Sequence, residues 1–315
     1  MRALYDLVIV GGGAAGLTAA LYASRSGLDC IVLDPASPEG SSIALTDAVE
    51  NYTGFSDIAG FDLIQHFYSH AKSFGANFVR QSLVGIRKNY DGFILECSDS
   101  EVKTKSVILC MGATHKKLGI DGENKFEGRG VSYCAVCDGY FFKDKTVAVI
   151  GGGNTAVQDA IYLSKICSKV YLIHRRSEFR AEKHVADGLA ACANIEPVLN
   201  STVARFIGEG KLSGIVVKNR ETGEERELSV SGAFIAVGFA PNNGVFAELV
   251  KLDESGFIRS GEDCKTSRPE IFAAGDCRTK SVRQLVTAGA DGGVAAIAAC
   301  EYIDSLRNTE KAAES

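Results

Sequence analysis

Two cysteines, Cys134 and Cys137, stand three positions apart in the sequence, and Asp138 follows directly. Two thiols at this spacing can form a small reversible disulfide, and a neighbouring carboxylate can carry the protons that thiol chemistry moves. The pair lies between two glycine-rich turns, at residues 11–16 and 151–156. A dithiol placed between two nucleotide-binding turns predicts a protein that transfers electrons.

The chain has ten cysteines, but only Cys134 and Cys137 form a close pair. Such a pair is also half of a zinc site, yet no second pair follows, and His174 and His184 lie far downstream among arginines. The other eight cysteines are isolated, and several stand in apolar runs, as Cys110 does. We interpret them mostly as small buried apolar residues rather than as a secreted disulfide framework.

Length and composition are those of an ordinary globular protein. With 315 residues, of which 46% are hydrophobic and 23% charged, the chain can form two hydrophobic cores. The net charge of −5 argues against a nucleic-acid-binding protein or a polybasic membrane anchor. The first residues do not resemble a signal peptide, and no stretch reaches about 18 uncharged apolar residues. The sequence therefore predicts a soluble cytoplasmic protein of two domains.

The residues around both glycine turns have the pattern of a βαβ unit. An apolar strand at 7–10 leads into the first turn, a helical pattern covers 17–22, and a second strand is expected at 30–33. The same order recurs 140 residues later, with a strand at 146–150, a helix at 157–164 and a strand at 170–173. The expected fold class is α/β, with two Rossmann-like, three-layer dinucleotide-binding domains.

Each half also contains short alternating segments that predict a small antiparallel addition to the βαβ unit. These segments are 83–87, 92–97 and 105–110 in the first half, and 203–207, 212–218 and 226–230 in the second. Breaks in the apolar pattern at 114–120 and 239–244 mark two crossings between domains. Two crossings imply that one domain is inserted into the other. The polar residues after Leu306 are expected to fray.

In a Gly-x-Gly-x-x-Gly turn, the first glycine allows the bend, the second lets the backbone approach a pyrophosphate, and the third lets helix and strand pack closely. The first turn meets all three conditions, and the second has alanine at the last position. The turn residues predicted to bind a dinucleotide are Gly11, Gly13, Ala14, Ala15 and Gly16, and then Gly151, Gly153, Asn154, Thr155 and Ala156.

The residues at the ends of the second strands distinguish the two ligands. Asp34 could accept hydrogen bonds from ribose hydroxyls and would repel a 2′-phosphate, so the first half suits FAD or NAD. The second half has His174, Arg175 and Arg176, with Arg180 one turn further on, and this cluster would attract a 2′-phosphate. It therefore suits NADP, although such a cluster could also be a solvated run of charge.

A short apolar strand at 272–276 ends in Gly275 and Asp276. An Ala/Gly-rich helix is expected over about 287–303, and its N-terminus is a positive dipole end that could stabilise the electron-rich end of a reduced flavin. Judged from the residues alone, Asp276 is better explained as a turn residue.

These motifs together resemble those of the bacterial-type, low-molecular-weight thioredoxin reductases. The resemblance rests on the two glycine turns and on Cys-Ala-Val-Cys-Asp-Gly, His-Arg-Arg-x-x-x-Arg, Ala-Ala-Gly-Asp and Arg-Gln-x-x-Thr-Ala-Gly. It extends from Asp6 to about Leu306. It implies a homodimer in which a discontinuous FAD-binding domain, 1–115 and 245–315, contains an inserted NADPH-binding domain, 116–244, that carries the dithiol.

The resemblance also assigns further FAD contacts. It places Asp276 at the ribityl chain, which reverses the turn interpretation, and it adds to the FAD site Gly275, Arg283, Gln284, Leu285, Asn51, Gly112 and Ala113. The family usually has Gly-Gly-Gln-Leu where this chain has residues 40–43, Gly-Ser-Ser-Ile. The missing glutamine removes a usual flavin contact, so no role is assigned to Ser42.

The resemblance implies that NADPH reduces the flavin, and that the reduced flavin then opens the disulfide between Cys134 and Cys137. Cys137 is expected to face the flavin and Cys134 to attack the disulfide of thioredoxin. Asp138 is expected to handle protons, or alternatively to cap a helix. Because one dithiol cannot face flavin and a protein at once, the inserted domain is expected to rotate about 114–119 and 240–245.

Related functions compete with this interpretation. A relative on the same scaffold could take electrons from ferredoxin or another donor, or could serve another disulfide partner. The intact arginines favour NADPH, and the two cysteines argue against a ferredoxin reductase of this scaffold that lacks them. A flavin-binding redox sensor without catalysis would not need both the dithiol and the basic cluster.

Overall fold

The computed structural model describes residues 4–36, 38–46 and 48–314, with side chains as far as Thr309. The strands are β1 (Tyr5–Val10), β2 (Cys30–Leu33), β3 (Asn77–Val79), β4 (Leu83–Asn89), β5 (Gly92–Cys97), β6 (Glu101–Leu109), β7 (Ala113–His115), β8 (Val131–Ser132), β9 (Thr146–Ile150), β10 (Lys169–Ile173), β11 (Ile195–Val198), β12 (Ser201–Gly208), β13 (Leu212–Asn219), β14 (Glu225–Ser229), β15 (Gly232–Ile235), β16 (Phe239–Pro241) and β17 (Ile271–Ala273). The α-helices are α1 (Ala14–Arg25), α2 (Gly60–Ser73), α3 (Glu123–Phe126), α4 (Ala135–Asp138), α5 (Asn154–Ser164), α6 (Lys183–Ala186) and α7 (Leu285–Glu314). Short 3-10 helices lie at 139–142, 187–191, 244–246 and 275–277.

The chain divides into two compact units. The first contains the residues up to Thr114 and those from Ala240 onward, and the second contains His115–Phe239. The second crossing therefore precedes the 244/245 boundary expected from the sequence. The two crossing segments, β7 and β16, pair with each other as a two-stranded sheet. In the described part of the chain, no helix is both long and apolar enough to cross a membrane.

The sheet of the first unit has the order β3-β2-β1-β6-β5-β4, and β17 also pairs with β6. β6 has two kinds of partner on one side, since Thr104 pairs with Phe93 of β5 in antiparallel fashion and Val107 pairs with Ile271 of β17 in parallel. Side-chain burial along β6 changes accordingly: buried and exposed residues alternate in its first part, and its last four residues are all buried. The antiparallel addition predicted for the first half is therefore present as β4, β5 and the first part of β6, and it continues the main sheet.

Helices α1 and α7 pack closely on one face of this sheet because small residues line both. A Cβ atom added at Gly292 of α7 would lie 2.1 Å from the carbonyl oxygen of Ala15. Helix α7 also extends past Leu306, where fraying was expected. Arg307 holds the helix at this point, since its guanidinium donates to the carboxylate of Asp6 in β1 at 2.8 Å. Fraying of the residues that follow stays a prediction.

The second unit has three layers. Its parallel sheet has the order β11-β10-β9-β15-β8, and α5 packs on one face. The antiparallel sheet β12-β13-β14 covers the other face, where Phe206 and Ile215 join the buried Ile150 and Ile173 in one core. The small antiparallel addition predicted for the second half is therefore present, as the sheet β12-β13-β14. The α/β class with Rossmann-like parallel sheets is confirmed.

Candidate functional site

The first glycine turn has the geometry that a bound pyrophosphate requires. Gly11 has a φ of +107°, and a Cβ there would lie 2.3 Å from the carbonyl oxygen of Cys110. A Cβ at Gly16 would lie 1.8 Å from the carbonyl oxygen of Gly11, so helix and turn are in close contact. Gly13, the N-cap of α1, has no atom within 4 Å of its Cβ position. Backbone atoms therefore fill the space behind the turn, whereas the space in front of Gly13, at the helix N-terminus, is free for an anion, which this position favours.

The carboxylate of Asp34 is fixed at the end of β2. It accepts hydrogen bonds from the backbone amide of Gly12 and, at 2.8 Å, from that of Ala36. A cavity of about 220 Å³ lies beside it. The cavity is lined by Val32, Asp34, Tyr68, Phe78, Val79 and Arg80. This lining of two aromatic rings, two valines, one carboxylate and one guanidinium could hold a nucleoside.

The turn after β17 presents the partly buried carboxylate of Asp276. The Oδ1 atom of Asp276 is buried and has no hydrogen-bond partner among the described residues. Burial raises the pKa of Asp276 above its usual value. Because a buried acceptor without a partner is costly, this oxygen is suited to a hydroxyl group of a ligand.

The structure brings together two residues that the sequence separates by 233 positions. The side-chain amide of Asn51 donates to Oε1 of Gln284 at 3.3 Å. Gln284 directly precedes Leu285, the first residue of α7. Gly112 and Ala113 follow β6, whose end is adjacent to β17 in the sheet.

The basic cluster of the second unit follows β10. Arg175, Arg176 and Arg180 are exposed, whereas His174 is buried. A Cβ at Gly152 would lie 2.1 Å from the His174 ring, so this ring packs directly beneath the second glycine turn. Burial and the three neighbouring arginines lower the pKa of His174. The arginines can reach an anion from solvent, while the neutral histidine supports the turn from below.

The second glycine turn resembles the first in shape. A Cβ at Gly151 would lie 2.4 Å from the carbonyl oxygen of Ala236, and the Cβ position of Gly153 has no atom within 4 Å. Gly153 is the N-cap of α5, which begins with Asn154 and Thr155. The open side of the turn therefore again lies at a helix N-terminus.

Cys134 and Cys137 form a disulfide, with their Cα atoms 5.3 Å apart. Cys134 is the N-cap of α4, and its sulfur accepts the backbone amide of Cys137 at 3.2 Å. Cys137 is exposed and Cys134 half-buried. An amide directed at a sulfur stabilises its anionic form, so this contact would favour a thiolate at Cys134 once the disulfide is reduced.

Asp138 is the last residue of α4, and its carboxylate accepts the hydroxyl of Ser132 at 2.6 Å. The Ser132 oxygen in turn accepts the backbone amide of Cys134 at 3.1 Å. Cys134 is the N-cap of α4, and Asp138 is the N-cap residue of the 3-10 helix that follows, although its side chain makes no capping bond to that helix. The carboxylate is instead linked through Ser132 to the backbone of the dithiol.

The eight other cysteines are free thiols. Five are buried, and the remaining three, Cys97, Cys192 and Cys300, are only partly buried. Burial raises the pKa of Cys277 and Cys264 to about 12, so these thiols are unreactive near neutral pH. Within the described ranges, no group of three His, Cys, Asp or Glu side chains could hold a metal ion.

Residues 5–292 match the family described as pyridine nucleotide-disulphide oxidoreductase. The chain belongs to this family. It is 41% identical over 309 residues to a thioredoxin reductase of Treponema pallidum, with 98% of this chain and 100% of the relative covered. A thioredoxin reductase of Bacillus subtilis is 39% identical, with 98% of each chain covered. The solved thioredoxin reductase of Streptococcus pyogenes matches with a TM-score of 0.89 at 37% identity, over 97% of this chain and 100% of that one.

These relatives confirm the resemblance to thioredoxin reductases that the motifs indicated. Membership of the pyridine nucleotide-disulphide oxidoreductases makes the chain an oxidoreductase and implies a flavin and a pyridine nucleotide as its cofactors.

Sequence reasoning missed a buried charge network beside Gly275. Asp291 of α7 accepts the Gly275 amide at 2.9 Å, two hydrogen bonds from Arg278, and one from Lys280 at 2.8 Å. Asp291 is the single carboxylate in the long apolar stretch of α7, and this isolated position is the feature of the sequence that could have indicated the network. The network holds the turn that presents Asp276.

Replacing Asp291 by Ala is expected to lower the free energy of unfolding by about 3–5 kcal/mol, because it leaves two buried cations without their carboxylate. The side chains of Arg278 and Lys280 are 2% and 5% exposed. Urea unfolding at pH 7 measures the effect, with Asp304→Ala, an exposed carboxylate of the same helix, as the control. Equal unfolding free energies for wild type and Asp291→Ala would show that the network is not stabilising.

The stabilisation contributed by Asp291 should depend on pH. Burial alone would raise the pKa of Asp291, but the hydrogen bonds from Arg278 and Lys280 lower it below its usual value. A lowered pKa in the folded state means that the stabilisation is present above the ordinary value of about 3.9 and is lost as the pH falls through the folded value. The difference in stability between wild type and Asp291→Ala should therefore shrink below about pH 4.

Proposed function

We propose that the protein is a thioredoxin reductase that uses NADPH and FAD to reduce thioredoxin through the Cys134–Cys137 disulfide. The observation that carries this proposal is a disulfide at the N-terminus of α4, within the same unit as an exposed arginine cluster beside a glycine turn. The relatives named thioredoxin reductase, 39–41% identical over nearly the whole chain, support it.

The residues of the first unit fit FAD. The cavity beside Asp34 would take the adenosine, the open face at Gly13 the pyrophosphate, and the buried oxygen of Asp276 a ribityl hydroxyl. Asn51 and Gln284 would lie near the flavin ring. Bound FAD would supply the two-electron chemistry that joins oxidation of a nicotinamide to reduction of a disulfide.

The residues of the second unit fit NADPH. The open face at Gly153 would take the pyrophosphate, and Arg175, Arg176 and Arg180 would bind the 2′-phosphate. Asp34, at the matching position of the first unit, would repel such a phosphate. The contrast supports FAD in the first unit and NADPH in the second.

The reduced dithiol can exchange with a disulfide of the partner protein. The Cys134 thiolate attacks one partner sulfur, forms a mixed disulfide and releases the other partner sulfur as a thiolate, which takes up a proton. Cys137 then attacks Cys134, re-forms the internal disulfide and releases the second partner thiol. Cys134 is the less exposed of the two residues, so exposure does not favour it as the attacking cysteine. The division of roles rests on the hydrogen bond that the Cys134 sulfur accepts from the Cys137 amide.

Asp138 and Ser132 are placed to move protons beside the dithiol. We assign proton transfer to Asp138 through the Ser132 hydroxyl, which bonds to the carboxylate at 2.6 Å. The homodimer, the cytoplasmic location and the rotation of the inserted domain stay predictions.

Replacing Asp276 by Ala is expected to weaken FAD binding about tenfold to a hundredfold, since a charged hydrogen-bond acceptor is lost. The ratio of flavin to protein absorbance after gel filtration, and titration of the apoprotein with FAD, measure the loss. Asp99→Ala, an exposed carboxylate in the turn between β5 and β6 of the first unit, serves as the control. Full FAD retention in Asp276→Ala would contradict the assignment of this residue to the cofactor.

A donor and acceptor assay tests the function as a whole. Purified protein loaded with FAD is given NADPH or reduced ferredoxin, and oxidised thioredoxin is the acceptor, with free thiols of thioredoxin as the readout. We expect thiols with NADPH and none above background with ferredoxin. Thiol formation with ferredoxin alone would favour the rival on the same scaffold.

A further inference from the structure

Asn154 uses both ends of its side-chain amide to hold one residue, Glu182. Its Oδ1 atom accepts the backbone amide of Glu182 at 2.7 Å, and its Nδ2 atom donates to Glu182 Oε1 at 2.9 Å. A third bond lies close by, since the backbone amide of Arg180 donates to the carbonyl of Gly152 at 2.7 Å. Three hydrogen bonds thus tie the segment 175–182 to the second glycine turn.

This segment lacks regular secondary structure. Residues 175–182 lie between β10 and α6 and belong to neither a helix nor a strand. Their conformation therefore depends on individual contacts such as those of Asn154, and not on a ladder of repeated backbone bonds. The buried His174 ring packs against Gly152 and lies 5.7 Å from the ring of Phe179, so it supports the middle of the segment, whereas the Asn154 bonds hold its end at Glu182.

The same contacts leave the side chains of the three arginines accessible. Within the described residues, none of Arg175, Arg176 and Arg180 forms an ion pair, although Glu182 lies two positions after Arg180. The Glu182 carboxylate is bound instead by the Asn154 amide and lies 3.6 Å from His184 Nδ1. The exposed guanidinium groups are thus available to a phosphate.

We propose that Asn154 is a positioning residue that sets the preference for a 2′-phosphorylated nucleotide by holding the arginine segment against the glycine turn. The inference rests on the proposed binding of NADPH by these arginines. It differs from the prediction that Asn154 itself contacts the nucleotide, because both polar atoms of its side chain are already bound to Glu182. Asn154 then affects how tightly the 2′-phosphate is bound, and it does not affect the binding of the part that NADP⁺ and NAD⁺ share.

Calorimetric titration of the FAD-loaded protein with NADP⁺, NAD⁺ and 2′,5′-ADP tests this. In Asn154→Ala, the Kd for NADP⁺ and for 2′,5′-ADP should rise about tenfold, which corresponds to two lost hydrogen bonds, and the Kd for NAD⁺ should not change. Glu182→Gln is the matched control, because a glutamine keeps both bonds to Asn154, so its NADP⁺ affinity should match the wild type. Asn154→Ser, whose side chain is too short to make both bonds, should change in the same direction as Asn154→Ala.

The outcomes separate the inference from the proposed function. Equal weakening of NADP⁺ and NAD⁺ in both Asn154 variants would overturn the inference, because Asn154 would then act on the shared part of the nucleotide. Unchanged NADP⁺ binding in both variants would also overturn it. A wild-type protein that binds NADP⁺ and NAD⁺ equally would contradict the proposed use of NADPH itself, whatever the variants do.

Discussion

Replacing Cys134 by Ser should lower thioredoxin reduction at least about 10³-fold, because the proposed attacking sulfur is removed. NADPH should still bleach the bound FAD, since the nucleotide and flavin sites do not contain this sulfur. Steady-state thiol release from thioredoxin and flavin absorbance under anaerobic conditions measure the two effects separately. Undiminished thioredoxin turnover in Cys134→Ser would contradict the assignment.

Cys137→Ser is the matched variant for the same pair. It keeps the Cys134 thiolate but removes the sulfur that resolves the mixed disulfide, so a covalent complex with thioredoxin should accumulate. Mass spectrometry without reductant detects that complex. A complex formed by Cys134→Ser and not by Cys137→Ser would reverse the roles of the two sulfurs.

Replacing Arg176 or Arg180 by Ala should raise the KM for NADPH about tenfold to a hundredfold, since each would lose a charge-assisted hydrogen bond to the 2′-phosphate. The KM for NADH should not change, because NADH lacks this phosphate. Arg129→Ala, an exposed arginine elsewhere in the same unit, serves as the control. The advantage of NADPH over NADH in the wild type should also decline as salt is added, because exposed charges are screened.

Equal increases in KM for NADPH and NADH would show that these arginines bind a group common to both nucleotides. No change for either nucleotide would mean that the cluster is the solvated run of charge considered from the sequence. Either result would remove the reason for choosing NADPH over NADH.

Local features of this fold could be predicted from the sequence. The glycine turns, the apolar strands around them and the Cys134–Cys137 pair each occupy a short stretch whose residue types restrict the backbone. Helix α1 nevertheless begins at Ala14, earlier than the apolar pattern indicated. Its first residues are small, and small residues can be helical without forming a recognisable apolar face. Such boundaries depend on packing against α7.

Features that depend on distant partners could not be predicted. Strand β6 pairs with β5, β17 and β1, and its residue types do not indicate which of these partner strands are parallel to it. The carboxylate of Asp138 bonds to Ser132, and the two polar ends of Asn154 bond to Glu182, 28 positions away. The pattern showed residues able to do chemistry, but their contacts are decided by tertiary structure.

Sequential-mixing stopped-flow tests the central claim most directly. The FAD-loaded protein is mixed anaerobically with NADPH or NADH and then with oxidised thioredoxin, while flavin absorbance and thioredoxin thiols are followed. We predict rapid bleaching by NADPH, much slower bleaching by NADH, and return of the flavin absorbance together with two thiols per thioredoxin. Bleaching by NADPH without thiol formation in thioredoxin would contradict transfer of electrons from NADPH through the dithiol to thioredoxin.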